Sequence, residues 1–264
     1  MPDVRRVAVF GGVYNNHLAL EATIAESRRR GATELYCLGD LGGFGPHPDR
    51  VFPILEREGV IVLQGNYDHA IGHQLPDCGC GYTDPRDNHF ARLSYDYTLR
   101  KTSPRHHAYL RALPPAIERA WGDERVRMAH GSPRQVNEFL WESTSPDAFL
   151  ERLLDGARCD VLFVTHTGIP WTRRLPSGRL VVNVGAIGRP ANDGRTEVWS
   201  SIATIPPRGR VEVELVPIAY DHARLAREMR DEGICAEFVE SIETGWWTTC
   251  LEILPAKERA RGRF

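Results

Sequence analysis

An alternation of short apolar segments with helical ones, which starts near the first residue, constrains this chain more than any other feature. The apolar run at Arg5–Phe10 predicts a buried strand, and a glycine turn and a helix that ends near Arg30 follow it. Two further runs, at residues 34–38 and 60–63, predict strands on either side of a short helix that begins near Asp49. Such an opening is typical of a layered α/β fold.

The rest of the sequence continues this alternation. Three further strands and a hairpin are predicted, at residues 126–129, 161–164, 180–184 and 197–218. Two helices are predicted over residues 221–231 and 236–242. Because no repeat or linker divides the sequence, we predict a single domain over residues 1–264, with a helical and loop insertion at about 67–119 and a C-terminal helical tail from about 221.

The charge balance and the cysteine pattern exclude several classes of function. The 264 residues include 33 Lys and Arg and 35 Asp and Glu, for a net charge of −2. This predicts no extended face for nucleic acid or for an anionic membrane. No segment approaches the roughly 18 apolar residues of a membrane span. The six scattered cysteines are not the framework of a small secreted protein, so a cytoplasmic location is predicted.

Polar residues follow four of the predicted strands at the point where each strand ends. They are Asp40, Asn66, His130 and His166, in the motifs LGDLGG, QGNYDH, AHGSP and VTHTG. One such residue alone is commonly a turn former or a hydrogen-bonded structural residue. Four in order indicate a shared site, because ligands of open α/β sheets bind at the carboxyl ends of the strands. Two imidazoles, a carboxylate and an amide oxygen suit Mn, Zn or Fe.

These motifs resemble those of the calcineurin-like metallophosphoesterases, of the small bacterial and archaeal phosphodiesterase type. The resemblance extends over nearly the whole chain, through VAVFGGVYNNHLALEA, GDLGGFGPHPD, GNYDHA, HGSP, THTGIP and VNVGAIGRP. It implies an α/β sandwich of two mixed β-sheets flanked by helices. It also implies a hydrolase for a small phosphate ester, in which two metal ions bridge an attacking hydroxide. The oligomeric state stays open, and a homo-oligomer is compatible with the sequence.

The chain departs from the family pattern at one of the two metal positions. Gly12 and Tyr14 stand where the first motif has an Asp and a His, and Gly168 stands where the fifth motif has its second His. In the family these three ligands serve one metal only. The ligands of the other metal are all retained: Asp40, Asn66, His130 and His166. The resemblance therefore implies one divalent ion (Mn, Zn or Fe) and a second site that is missing or rebuilt.

Four residues are candidates for replacement ligands. Tyr14 could supply a phenolate and His17 an imidazole, against the simpler interpretation that Tyr14 packs in a turn and His17 is a solvated residue of the first helix. Cys78 and Cys80 could supply soft thiolate ligands, form a disulfide, or form a compact turn with buried thiols.

Candidates for catalysis and substrate binding lie next to the motifs. Tyr67 stands where the family has its general-acid His, and Asp68 and His69 follow it. His69 could serve only if its side chain turns into the cleft. A guanidinium binds phosphate oxygens bidentately. The arginines that could do so are Arg134, Arg173, Arg174 and Arg189.

Two functions of different classes are compatible with these patterns. The first is a metal-dependent phosphoesterase that hydrolyses a phosphomonoester or a phosphodiester with a metal-activated water, at a mononuclear or rebuilt centre. The second is a non-catalytic binding or scaffold protein on the same fold, for which the metallophosphoesterase-like subunit of the retromer coat is a family precedent. The second is motivated by the residues that replace family ligands: Gly12, Tyr14, Tyr67 and Gly168.

Overall fold

The computed structural model describes residues 4–263, and within them ten strands form two sheets of five. The strands are β1 (Arg5–Phe10), β2 (Glu34–Cys37), β3 (Ile61–Val62), β4 (Ala116–Trp121), β5 (Glu124–Ala129), β6 (Val161–Val164), β7 (Trp171–Arg174), β8 (Leu180–Asn183), β9 (Val198–Ile205) and β10 (Glu212–Ile218). The strand order is β10-β9-β1-β2-β3 in the first sheet and β4-β5-β6-β8-β7 in the second.

Each sheet mixes parallel and antiparallel neighbours. In the first, β1 pairs in parallel with β2 and antiparallel with β9. In the second, β5, β6 and β8 are parallel to one another, and β4 and β7 are antiparallel edge strands. Parallel strands that run side by side bring their carboxyl ends to one edge of the sheet. This arrangement decides where the residues that follow β2, β3, β5 and β6 are placed.

The described residues form nine α-helices, several of which flank the two sheets. They are α1 (His17–Arg29), α2 (Val51–Arg57), α3 (Asn66–His73), α4 (Pro85–Lys101), α5 (Pro104–Ala112), α6 (Asp147–Ala157), α7 (His222–Asp231), α8 (Ala236–Thr244) and α9 (Ala256–Arg259). A short 3₁₀ turn, Pro48–Arg50, precedes α2. None of these helices, among the residues described, is long and apolar enough to cross a membrane.

The alternation of side chains along the strands builds three core layers, one between the sheets and one on the outer side of each. In β1, Val7 and Val9 face the second sheet and pack in the layer that contains Trp121 and Phe163. Phe10 faces the opposite way, into the layer beneath α1 and α2. On the far side, α6 packs Leu150 and Leu154 against β6 and β8. The predicted α/β sandwich of two mixed sheets flanked by helices is therefore confirmed.

Candidate metal centre

Three of the four predicted ligands meet at the carboxyl ends of β2, β5 and β6. His130 Nε2 lies 3.2 Å from Asp40 Oδ2 and 3.1 Å from His166 Nδ1, and candidate ligand atoms of all three residues lie within 4.8 Å of one another. With metal–ligand bonds of about 2.1 Å, neighbouring ligands of a tetrahedral or octahedral ion lie about 3.0–3.4 Å apart. The measured separations therefore suit ligands of one ion.

Asn66, the fourth predicted ligand, lies next to the Asp40 loop. It is the first residue of α3, and the backbone N–H of the next residue, Tyr67, donates to Asp40 Oδ1 over 3.0 Å, which holds the two loops together. The Asn66 amide donates to the carbonyl of Cys78 over 2.9 Å. Its Oδ1 is buried and has no hydrogen-bond partner within residues 4–263. Because an unpaired buried acceptor is destabilising, a cation beside this oxygen would satisfy it.

Two buried contacts hold the ligands in place. The His130 Nδ1 lies 2.7 Å from the Leu38 carbonyl oxygen, so it carries the proton and leaves Nε2 to face Asp40. Asp68 accepts hydrogen bonds from the backbone N–H groups of Asp40, Leu41 and Gly65, over 2.8–2.9 Å. Burial, and then the charge of Asp40, raise the pKa of Asp68 to about 6. Asp68 therefore positions Asp40, which differs from the catalytic role predicted for it.

The two imidazoles differ in their electrostatics. Burial lowers the pKa of His130, but the charge of Asp40 and the hydrogen bond to it outweigh burial and raise the pKa above its ordinary value. Burial and the neighbouring His130 lower the pKa of His166 to about 3. His166 is consequently neutral at pH 7 and can donate a lone pair to a metal ion. It is also partly exposed, whereas Asp40 and His130 are buried.

Side chains fill the space where the family pattern has its other ligands. Gly12 has φ +56°, and a Cβ built there would lie 2.8 Å from Ala186 Cβ and 3.0 Å from Tyr14 Cζ. Tyr14 packs edge-on against Phe44, with ring centroids 5.0 Å apart. Burial and the charge of Asp40 raise the pKa of Tyr14 well above its ordinary value. Tyr14 is therefore a packed neutral phenol, and the phenolate needed of a ligand is disfavoured.

Trp247 lies against the position of the third missing ligand. A Cβ built on Gly168 would lie 3.5 Å from Trp247 Cζ2. The indole N–H donates to the Pro190 carbonyl over 2.6 Å, and the Arg189 guanidinium lies 4.0 Å from a Trp247 ring centroid. No motif marks Trp247, which belongs to a segment far along the chain. The only sequence feature connected with Trp247 is the glycine at position 168, where the family pattern has a histidine.

The remaining candidate ligands are His17, which lies elsewhere in the fold, and Cys78 and Cys80, which are oxidised. The Nε2 of His17 lies 3.5 Å from Glu228 Oε2, in a contact between α1 and α7, so His17 is not brought to the three ligands. Cys78 and Cys80 form a disulfide, which leaves no thiolate to bind a metal. The Cys80 Sγ nevertheless lies 3.5 Å from the Asn66 amide, beside the centre.

The candidate acids also take different positions from those expected. Tyr67 is buried, and its hydroxyl donates to Ser94 Oγ over 3.1 Å. Burial raises its pKa, so proton donation from Tyr67 is not favoured. His69 is exposed on α3, where its ring lies 4.4 Å from that of His73.

Of the predicted phosphate-binding arginines, Arg189 alone lines a cavity with His166. Arg134 is exposed and paired with Glu138. Arg173 donates to the backbone carbonyl of Glu142 over 2.6 Å, and Arg174 donates to that of Gly178 over 2.9 Å. The cavity offers about 20 Å³ to the centres of water-sized molecules. The residues that line this cavity include Tyr14, Phe139, His166, Gly168, Arg189 and Trp247.

Comparison with known proteins bears on the fold and on the site. No family model matches the chain. An uncharacterised protein of Methanocaldococcus jannaschii is 23% identical over 230 residues, which cover 81% of this chain and 88% of that protein. A metallophosphoesterase from Sphaerobacter thermophilus has a TM-score of 0.70 at 25% identity, over 92% of this chain and 100% of that one. A hypothetical protein from Pyrococcus horikoshii OT3 has a TM-score of 0.76 at 22% identity, over 92% and 99%.

Proposed function

Because the chain belongs to the calcineurin-like metallophosphoesterase superfamily, we propose that it is a metal-dependent phosphoesterase with a single divalent ion. Its substrate is a phosphomonoester or a phosphodiester. The observation that carries the proposal is the convergence of Asp40, His130 and His166, whose ligand atoms lie within 4.8 Å of one another. The unpaired Oδ1 of Asn66 supports it independently.

The four donors would hold the ion through two oxygens and two nitrogens, a set that suits Mn, Zn or Fe. When bound there, a divalent ion would act as a Lewis acid toward a phosphate oxygen, and Zn would lower the pKa of a water ligand to about 7. Asp68 holds the Asp40 loop, and the Leu38 carbonyl fixes the tautomer of His130. Since His166 is the partly exposed member, the substrate approaches from the side of His166.

The proposal of one ion instead of two rests on packing. Tyr14 and Ala186 occupy the space beside Gly12, and Trp247 lies against Gly168. Gly12 and Gly168 offer no donor side chain, and burial keeps the Tyr14 phenol neutral. A second cation would find no ligand side chain among these residues, and the positions beside Gly12 and Gly168 are bordered by Tyr14, Ala186 and Trp247.

The test is hydrolysis by protein that has been stripped of metal with a chelator and reloaded with Mn, Zn or Fe(II). The substrates are p-nitrophenyl phosphate and bis-p-nitrophenyl phosphate. We expect activity only with an added ion, and a loss of more than about a hundredfold in Asp40→Asn and His130→Gln, since even residues that merely support ligands cost 10–100-fold. His69→Gln is the matched control, because His69 is exposed, and it should retain full activity.

Two outcomes would contradict the proposal. Protein that binds no ion under any of these conditions has no metal centre at these residues. Protein that binds an ion but hydrolyses neither ester is not a phosphoesterase of this kind, and that result favours the binding or scaffold protein on the same fold.

A further inference from the structure

We propose that Arg189 is the anion-binding residue of this site and that it binds an oxygen of the substrate phosphate group. The identification of the anion as a substrate phosphate rests on the proposed function. Arg189 differs in its burial from the other arginines near the motifs, since Arg134 and Arg174 are exposed and Arg173 is half-buried.

Within residues 4–263, no carboxylate forms an ion pair with the buried guanidinium of Arg189. The residue is 5% exposed. Among the residues that the structure describes, the polar partners of its guanidinium are the carbonyl and hydroxyl oxygens of Thr249, at 2.8 and 3.3 Å from Nη2. A buried cation that lacks an anionic partner is destabilising. An anionic ligand would supply that partner.

The guanidinium is also oriented before any ligand binds. It lies between two aromatic rings, 4.0 Å from a Trp247 ring centroid and 5.0 Å from that of Phe44. Stacking of this kind fixes the plane of the group. Its Nε is buried and has no hydrogen-bond partner within residues 4–263. A fixed plane, a net charge and an unused N–H are what an oxyanion requires.

The position of Arg189 connects it to the metal centre. Arg189 and His166 line the same cavity, and His166 and Phe139 are partly exposed on its wall. This small cavity beside Arg189 admits one or two small groups. One or two phosphate oxygens can therefore enter it. Arg189 thus supplies a positive charge on the side of the site where the chain lacks metal ligands.

The experiment measures binding of inorganic phosphate by calorimetry, with metal-stripped and with Zn-loaded protein. We expect wild-type protein to bind phosphate in both forms, and Arg189→Gln to bind it about 10–100-fold more weakly, as for a lost charge-assisted hydrogen bond. Arg134→Gln is the matched control and should bind phosphate as the wild type does. Zinc content and melting temperature of each variant show whether the fold and the metal centre are intact.

A second variant covers the case in which Arg189→Gln does not fold. Arg189→Lys keeps the charge but loses the planar fork, and we expect phosphate binding to weaken about 3–10-fold in it. Wild-type affinity in either folded variant, or wild-type protein that binds no phosphate in either form, would overturn the inference. If phosphate binding depends on Arg189 while no ester is hydrolysed, the inference stands and the proposed function fails.

Discussion

Replacement of Gly12 by Ala tests how tightly side chains are packed beside the metal centre. At this position φ is +56°, and a Cβ would lie 2.8 Å from Ala186 Cβ, whereas carbon atoms in contact normally lie about 3.5–4.0 Å apart. The left-handed backbone costs a non-glycine residue about 1–2 kcal/mol. Overpacking in a core costs about 1–3 kcal/mol more. We therefore expect Gly12→Ala to lower the free energy of unfolding by about 2–5 kcal/mol.

Gly59→Ala is the matched control, because Gly59 also has positive φ, +64°, but no other atom of residues 4–263 lies within 4 Å of its added Cβ. It should cost only the backbone contribution of about 1–2 kcal/mol. The assay is urea unfolding of metal-stripped protein, followed by circular dichroism. The double variant Gly12→Ala with Ala186→Gly should lose less stability than the sum of the losses in the two single variants, because Ala186→Gly removes the overlapping methyl. Equal losses in Gly12→Ala and Gly59→Ala would show that the space is open, and the argument for one ion would fail.

Three further predictions concern neighbouring residues. Burial lowers the pKa of His17 to about 4 despite the nearby Glu228. Below about pH 6.5 the His17 imidazole is therefore protonated in the unfolded chain and stays neutral in the folded chain until about pH 4. His17→Gln should therefore remove a loss of about 2 kcal/mol that the wild type shows between pH 7.5 and 5 in chemical denaturation, and equal pH dependence would contradict this. Tyr67→Phe should keep hydrolysis within a few-fold and lower stability by about 1 kcal/mol, and a large drop in kcat would restore Tyr67 as the acid. Alkylation of unfolded protein should label four cysteines without reductant and six after reduction, because Cys78 and Cys80 are paired; six labels without reductant would refute the pairing.

Much of the fold could be predicted because apolar runs mark strands that are buried on both faces. β1 and β6 are such strands, and their predicted bounds are confirmed. β7 was not predicted, since an edge strand with the sequence WTRR carries polar residues on its open side. β4 and α6 were missed as well. In β4 three of the six residues are exposed, so its apolar pattern is weak.

The candidate centre could be predicted as far as topology decides it. Asp40, His130 and His166 each follow a strand, and the carboxyl ends of those strands meet at one edge. The residues around them depend on contacts between distant segments. The sequence places Asp68 next to the predicted acid, whereas in the structure its carboxylate accepts hydrogen bonds from three backbone N–H groups. Nothing local to Trp247 indicates that it packs against Gly168.

The most direct test of the central claim is a crystal structure of protein reloaded with Zn, with anomalous scattering at the metal edge and metal content measured on the same sample. We predict one ion per chain, bound by Asp40, Asn66, His130 and His166 at about 2.0–2.3 Å, with Tyr14 outside its coordination shell. Two ions, or an ion held by Tyr14, or none at these four residues, would contradict the account.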